Sequence, residues 1–172
     1  MIYLLAGNPN VGKSTFFNYM TQSHVHVGNY SGVTVEKRVH HIKNLPGANL
    51  VDLPGTYNVS PNSEDEGVVT YSILNEHYKG IINIIDSTHL KRNLQLTIQL
   101  LELGVPSLLV FNLKDALKNN GYVIDTEKMT TMLRANSVCI SAKERNKEDQ
   151  LHIVDEIKNL RAFKGLELPY HP

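Results

Sequence analysis

The chain has 172 residues, with 17 basic and 17 acidic side chains and a formal net charge of zero, so no global field draws it to nucleic acid or to an anionic membrane surface. A length of this order makes one compact domain that buries about 70% of its unfolded surface. The single cysteine, Cys139, excludes an intrachain disulfide and fits a reducing compartment. No apolar run approaches the roughly 20 residues that span a bilayer, and a soluble, cytoplasmic chain is expected.

In chain order, the apolar run over 2–6 predicts a strand, followed by GNPNVGKST over 7–15 and then a helix opening at Phe16-Phe17. Gly7 to Ser14 has the form G-x-x-x-x-G-K-[ST], between a strand and a helix, which is the context that gives the motif its meaning. Glycines let successive backbone N–H groups and the helix N-terminus face phosphate oxygens. Gly7, Asn8, Pro9, Asn10, Val11, Gly12, Lys13, Ser14 and Thr15 are therefore candidate nucleotide ligands, with Lys13 on the β and γ oxygens and Ser14 on Mg²⁺.

Residues 22–34 carry Gly, Asn and Ser without periodicity and read as a loop, in which Thr34 is a second candidate Mg²⁺ ligand. Strands are predicted over 35–42 and 48–52, the latter ending in VDLPG, a D-x-x-G sequence. There Asp52 would hold Mg²⁺ through water, and the Gly55 N–H would meet a γ-phosphate. A second loop runs over 54–62, after which Ser63-Glu64-Asp65-Glu66 fits a capping box, and the acidic cluster reads as a helix start.

A strand over 81–85 precedes the cap Asp86-Ser87-Thr88 and a helix whose apolar residues are Leu90, Leu94, Thr97, Ile98, Leu101 and Leu103. The strand over 106–111 leads into FNLKD, of the form N-x-x-D. A carboxylate accepts two hydrogen bonds at once from the ring N–H and exocyclic amine of guanine, which assigns Asp115 to the base and Asn112 to joining this loop to the phosphate loop, with Leu113 and Lys114 between them. Asp125-Thr126 caps a further helix, and a strand over 137–140 ends in ISAK, where Ser141, Ala142 and Lys143 complete the set and the Ala142 N–H would face the guanine carbonyl oxygen. Cys139, between Val138 and Ile140, reads as a small buried apolar residue. Leu151, Val154, Ile157 and Leu160 mark the last helix.

Strand-length apolar runs alternating with helices predict an α/β fold with a mostly parallel, six-stranded sheet and helices on both faces, and the phosphate loop, Thr34, D-x-x-G, N-x-x-D and ISAK in that order, most of them at strand ends, identify it as a P-loop NTPase of the Ras-like G-domain type. VGNYSGVTVEK (27–37), DLPGTYNVSP (52–61) and LKRNLQLTIQLLELGVPSLLVFNLKDA (90–116) closely resemble the GTPase domain of the FeoB ferrous iron transporter family, from residue 2 to about residue 134. The resemblance implies a GTP-hydrolysing cytoplasmic domain (1–165), with 166–172 beginning the connection to a helical domain and, beyond it, the membrane domain of a transporter at the bacterial cell membrane. It implies guanine nucleotide and those domains as partners, no nucleic acid, no membrane insertion of this part of the chain, and leaves oligomerisation open.

The position after D-x-x-G, where Ras-like proteins carry a water-orienting glutamine, is Thr56. Slow turnover is expected, with water held by backbone groups of the two loops. The family resemblance favours a K⁺ ion in place of an arginine finger, held by the Asn10 side chain and the Gly28 and Tyr30 carbonyls. Asn10, Lys13, Thr34, Gly55 and Thr56 form the candidate catalytic set. Neighbouring histidines on an extended segment point to opposite faces, and neither His24-Val25-His26 nor His40-His41 has Cys, Asp or Glu nearby at metal-ligand spacing. Two rival readings are a GTP/GDP-binding switch module with negligible turnover and an Era-like soluble assembly GTPase. The second calls for a basic RNA-binding extension, which a neutral chain does not offer.

Overall fold

The computed structural model describes residues 1–60 and 63–160, with the backbone alone over 23–27. The sequence readings at Pro61 and over 161–172 lie outside the described residues.

The strands are β1 (Ile2–Gly7), β2 (Thr21–Asn29), β3 (Glu36–Ile42), β4 (Asn49–Asp52), β5 (Gly80–Asp86), β6 (Ser107–Asn112) and β7 (Ser137–Cys139). The helices are α1 (Lys13–Met20), α2 (Glu64–Asn75), α3 (Leu90–Glu102), α4 (Lys114–Asn119), α5 (Thr126–Leu133) and α6 (Lys147–Lys158), with a 3₁₀ turn at Ala142–Glu144. The strands form one sheet in the order β2-β3-β4-β1-β5-β6-β7. β1 pairs in parallel with β4 and β5, and β6 in parallel with β5 and β7, while β3 runs antiparallel to β2 and β4.

The continuous apolar runs belong to the central parallel strands, which are buried on both faces. Alternation sorts their side chains. Tyr3, Leu5, Ile82, Ile84, Leu108 and Val110 pack with Phe16 and Phe17 of α1 and with Ile153, Val154 and Ile157 of α6. Leu4, Ala6, Val51 and Ile81 pack with Val69 and Ile73 of α2 and with Leu96 and Leu100 of α3. β1 is followed by α1 on one face and flanked by β4 and β5, so the loops at the carboxyl ends of β1, β4, β5, β6 and β7 open toward one rim, as parallel α/β sheets arrange a binding site.

All six predicted strands are present, and the sheet has a seventh. Thr21–Asn29, read as the start of a loop, is the edge strand β2, paired with β3 through a register that shifts between Thr21, His24 and His26. An irregular edge strand pairs on one side only, so the alternation that reveals a strand in sequence is weak there. The Ser63 hydroxyl accepts from Glu66 N at 3.2 Å and the Asp125 carboxylate from Lys128 N at 3.0 Å, both as the sequence reads. Asp86 differs: its carboxylate binds Thr88 N and the Thr88 hydroxyl in a local turn, and the N-cap position of α3 falls to His89, whose side chain makes no capping bond. Leu103 and Leu151, placed on apolar helix faces by spacing, are 43% and 50% exposed. Cys139 is half-buried on edge strand β7 rather than enclosed, and burial pushes its thiol pKa up.

Candidate functional site: a nucleotide cleft at the carboxyl rim

The phosphate loop follows β1 directly. Gly7 is a glycine because a Cβ there would meet Ile84 Cγ2 at 2.7 Å and the Ile84 carbonyl oxygen at 2.8 Å, so β1 and β5 close only without a side chain. Gly12 turns the chain into α1 with φ +82°, and Asn10 also takes a left-handed conformation, φ 63°, which asparagine tolerates better than most residues. α1 has no side-chain cap and no acidic residue in its first turn. Its N-terminal amides and dipole therefore face the rim as an anion site, with Ser14 and Thr15 exposed beside them. The backbone curve, the lysine and the hydroxyls fit a polyphosphate, and the oxygen donors Ser14 and Asp52 fit a hard cation such as Mg²⁺.

In this structure Lys13 lies against Asp52 in a close ion pair, with both side chains largely shielded (14% and 10% exposed). Lys13 and Asp52, read as a phosphate ligand and a metal ligand, are thus brought together at the rim. The D-x-x-G segment passes across the phosphate loop: Thr56 N donates to the Gly7 carbonyl at 3.0 Å, and a Cβ on Gly55 would lie 3.1 Å from Pro9 N and Cα. Thr56 is buried, and its hydroxyl donates to the Asn58 carbonyl at 2.7 Å.

Thr34 is exposed and faces α2 instead of the phosphate loop, with its backbone N–H donating to Glu64 Oε1 at 3.0 Å. Gly28 is in β2 opposite Lys37, and the Tyr30 carbonyl accepts from Val33 N at 3.3 Å. The residues proposed as metal ligands in the first loop are therefore engaged locally.

The base side is preassembled. Asn112, buried at the end of β6, donates to the Val11 carbonyl at 3.0 Å and accepts from Ala142 N at 3.0 Å, so one side chain holds three loops. The Ala142 N–H, read as facing a guanine carbonyl, is spent on Asn112 here. Leu113 sits at φ 65°, a strained conformation for a large side chain, and turns the chain into α4. Asp115 accepts from the Ser141 hydroxyl at 2.9 Å and pairs with Lys143 at 2.7 Å. Those two contacts, the Lys143 bond first, hold its carboxyl below the usual carboxylate range, and Asp115 in turn raises Lys143. Lys114 is exposed.

Three residues at the rim escaped the sequence reading. Glu64 was legible only as a helix start, yet it holds Thr34. Arg92 of α3 stacks on the Tyr57 ring, 4.5 Å from its centroid, and bonds its hydroxyl, while Gln99, two turns on, accepts from Val59 N at 2.6 Å. Each of these pairs joins residues at least 30 positions apart, and no local pattern announces them.

This sheet order, with a phosphate loop after β1 and N-x-x-D after β6, defines a P-loop GTPase fold of the G-domain class. The sequence profile described as ferrous iron transport protein B matches residues 1–155, and the chain belongs to that family as its N-terminal G domain. It is 47% identical over 158 residues to the Fe(2+) transporter FeoB of Staphylococcus aureus (strain MSSA476), which covers 92% of this chain and 23% of the relative. The chain thus spans about a quarter of the length of the curated relatives it matches. The structure of the cytosolic domain of L. pneumophila FeoB superposes with a TM-score of 0.88 at 38% identity, covering 99% of this chain and 68% of that one. A mutant of S. thermophilus NFeoB bound to GDP gives 0.85 at 36% identity, covering 91% and 61%. No helix among the described residues is long and apolar enough to cross a membrane.

Proposed function

We propose that this chain binds GTP and GDP and hydrolyses GTP slowly, as the nucleotide switch of a ferrous iron transporter whose membrane domain takes up Fe²⁺. The observation that carries the reading is the Asn112 bridge, which ties the phosphate loop at Val11 to the base loop at Ala142 while Asp115 is held as a carboxylate beside it. The GDP complex of the S. thermophilus relative supports the choice of nucleotide. Lys13, the α1 amides and the glycine-rich backbone would bind the phosphates, and Asp115 would select guanine. Ser14, Thr34 and Asp52 would hold Mg²⁺, which neutralises charge on the β and γ oxygens when bound. For this to happen, Lys13 must exchange Asp52 for phosphate, and Thr34 must leave Glu64. Both exchanges couple nucleotide to loop position, as a switch requires.

Thr56 supports slow turnover. Its hydroxyl is committed to Asn58 and no glutamine stands in its place, so water would be oriented by backbone groups alone. Asn10, exposed at the tip of the phosphate loop, would supply a K⁺ ligand. The same Thr56 geometry favours, as a second reading, a switch module with negligible turnover. Steady-state GTP hydrolysis with Mg²⁺ in matched K⁺ and Na⁺ buffers decides between them: slow turnover that rises in K⁺ is expected, and no turnover in either, with GDP bound, leaves the switch module.

A further inference from the structure

α3 is fixed to the sheet beside the phosphate loop. The Asn93 side chain accepts from Asp86 N at 3.1 Å and donates to the His89 carbonyl at 2.9 Å, which ties the first turn of the helix to the end of β5. One turn on, the Thr97 hydroxyl donates to Asn83 Oδ1 at 2.6 Å, and the Asn83 amide donates at 3.2 Å to the carbonyl of Ala6, the residue before the phosphate loop. Asn83, Asn93 and Thr97 are all buried, so this network is shielded from competing water.

Arg92 and Gln99, seven residues apart and so on one side of the helix, hold alternate residues of the segment after β4. The Arg92 guanidinium lies 4.5 Å from the Tyr57 ring centroid and donates to the Tyr57 hydroxyl, and Gln99 Oε1 accepts from Val59 N at 2.6 Å. Just before them the same segment rests on the phosphate loop. Thr56 N donates to the Gly7 carbonyl at 3.0 Å, and a Cβ on Gly55 would lie 3.1 Å from Pro9 N and Cα. Gly55 and Thr56 are thus held between two supports, the phosphate loop and α3, which the Ala6–Asn83–Thr97 bonds join to each other. Tyr57 is not among the residues read as nucleotide ligands, so the clasp bears on where the segment lies and not on the nucleotide.

We propose that Arg92 is a positioning residue for GTP hydrolysis: its clasp on Tyr57 keeps the adjoining Thr56 backbone in place against the phosphate loop, an inference that rests on the nucleotide reading above. With no glutamine after D-x-x-G, water is oriented by backbone groups, and these act only as far as their position is fixed. The planar guanidinium stacks on the ring and donates at once, which a lysine does not reproduce. Arg92 is exposed and Tyr57 is 39% exposed, so the clasp can be removed without opening the core.

The test is Arg92→Ala, Tyr57→Ala and the double variant in the 172-residue chain, with wild type alongside. A cation stacked on a ring at an exposed place is worth about two- to fivefold in an equilibrium, and kcat of Arg92→Ala should fall by that factor while KM and GDP affinity stay within about twofold. Arg92→Lys should recover part of the loss. Adding Arg92→Ala to Tyr57→Ala should cost nothing further, because the ring it acts through is already gone. In a chain that binds without turnover, the affinity for a non-hydrolysable GTP analogue relative to GDP is read in place of kcat, with the same pattern expected. Unchanged kcat and affinity ratio in Arg92→Ala overturn the proposal. So does an equal fall on either Tyr57 background, which would mean that Arg92 acts elsewhere, or a loss of GDP affinity parallel to kcat, which would make it a structural residue. If Arg92→Ala does not fold, Arg92→Gln is read the same way. A wild-type chain that binds no guanine nucleotide overturns the nucleotide reading and this proposal with it; a wild-type chain that binds, with indifferent variants, overturns this proposal alone.

Discussion

Asn112 donates its side-chain amide to the Val11 carbonyl at 3.0 Å, across a sequence separation of 101 residues. The base loop therefore stands or falls with the phosphate loop. Asn112→Ala leaves the Val11 carbonyl and the Ala142 N–H unpaired in buried surroundings, at a cost of about 2–4 kcal/mol in urea unfolding. Guanine-nucleotide affinity should fall more steeply than that of an unrelated phosphate ligand such as pyrophosphate, because the base loop loses its anchor. Equal losses for both ligands would show that Asn112 serves the phosphate loop only.

Gly12 and Asn112 are coupled by contact. A Cβ at Gly12 would sit 2.5 Å from Asn112 Nδ2, on a backbone whose φ of +82° already disfavours it. Gly12→Ala should cost about 1–3 kcal/mol by strain alone, and more where it also displaces the Asn112 amide. In a double-mutant cycle with Asn112→Ala, the alanine at Gly12 should cost measurably less, since the amide it would displace is gone. Additive effects would exclude the clash as the cause.

The Asp115 carboxyl is lowered by Lys143 and then by Ser141, which fixes the sign of its pH dependence. A depressed folded pKa means that the stabilisation is present above the ordinary carboxylate value of about 3.9 and is lost as pH falls through the lowered one. Lys143→Ala should move the Asp115 titration upward in carboxyl NMR and bring the acid loss of GDP binding to higher pH. Asp115→Asn should transfer preference from GTP to xanthosine triphosphate, and an unchanged preference would place base recognition elsewhere.

The ion pair of Lys13 with Asp52 gives a prediction about metal. With both side chains shielded, removing one partner strands the other charge, so Asp52→Asn should destabilise the nucleotide-free domain. It should also abolish the increment that Mg²⁺ adds to GTP-analogue affinity, while leaving Mg²⁺-free GDP affinity near wild type. A full Mg²⁺ increment in the variant, measured by calorimetry, would remove Asp52 from the metal site.

What could be read in the sequence was whatever repeats a local rule. The central strands β1, β5 and β6 were legible because burial on both faces leaves continuous apolar runs there, whereas β2, an edge strand with shifted register, reads as loop. The phosphate loop, D-x-x-G and N-x-x-D were legible as patterns because each spans only a few neighbouring residues, and the fold brings Lys13 to Asp52 and Asn112 to Val11. The clasp of Arg92 on Tyr57 and of Gln99 on Val59 was not, since it depends on how α3 lies across the segment after β4. Nor was the commitment of the Ala142 N–H to Asn112, which only the closed loops bring about.

The backbone of Asn10 decides how its K⁺ role is best tested. At φ 63°, alanine in its place would strain the loop, and a loss of turnover in Asn10→Ala would mix that strain with the loss of a ligand. Asn10→Gly adopts the same conformation freely and removes the side chain with its oxygen. GTP hydrolysis by Asn10→Gly should proceed at the wild-type rate in Na⁺ and should not rise in K⁺, with GDP affinity held. If K⁺ still stimulates the glycine variant as it does wild type, the ion takes its ligands elsewhere, and the Gly28 and Tyr30 carbonyls, one in β2 and one in the Tyr30–Val33 turn, would need to be freed to provide them.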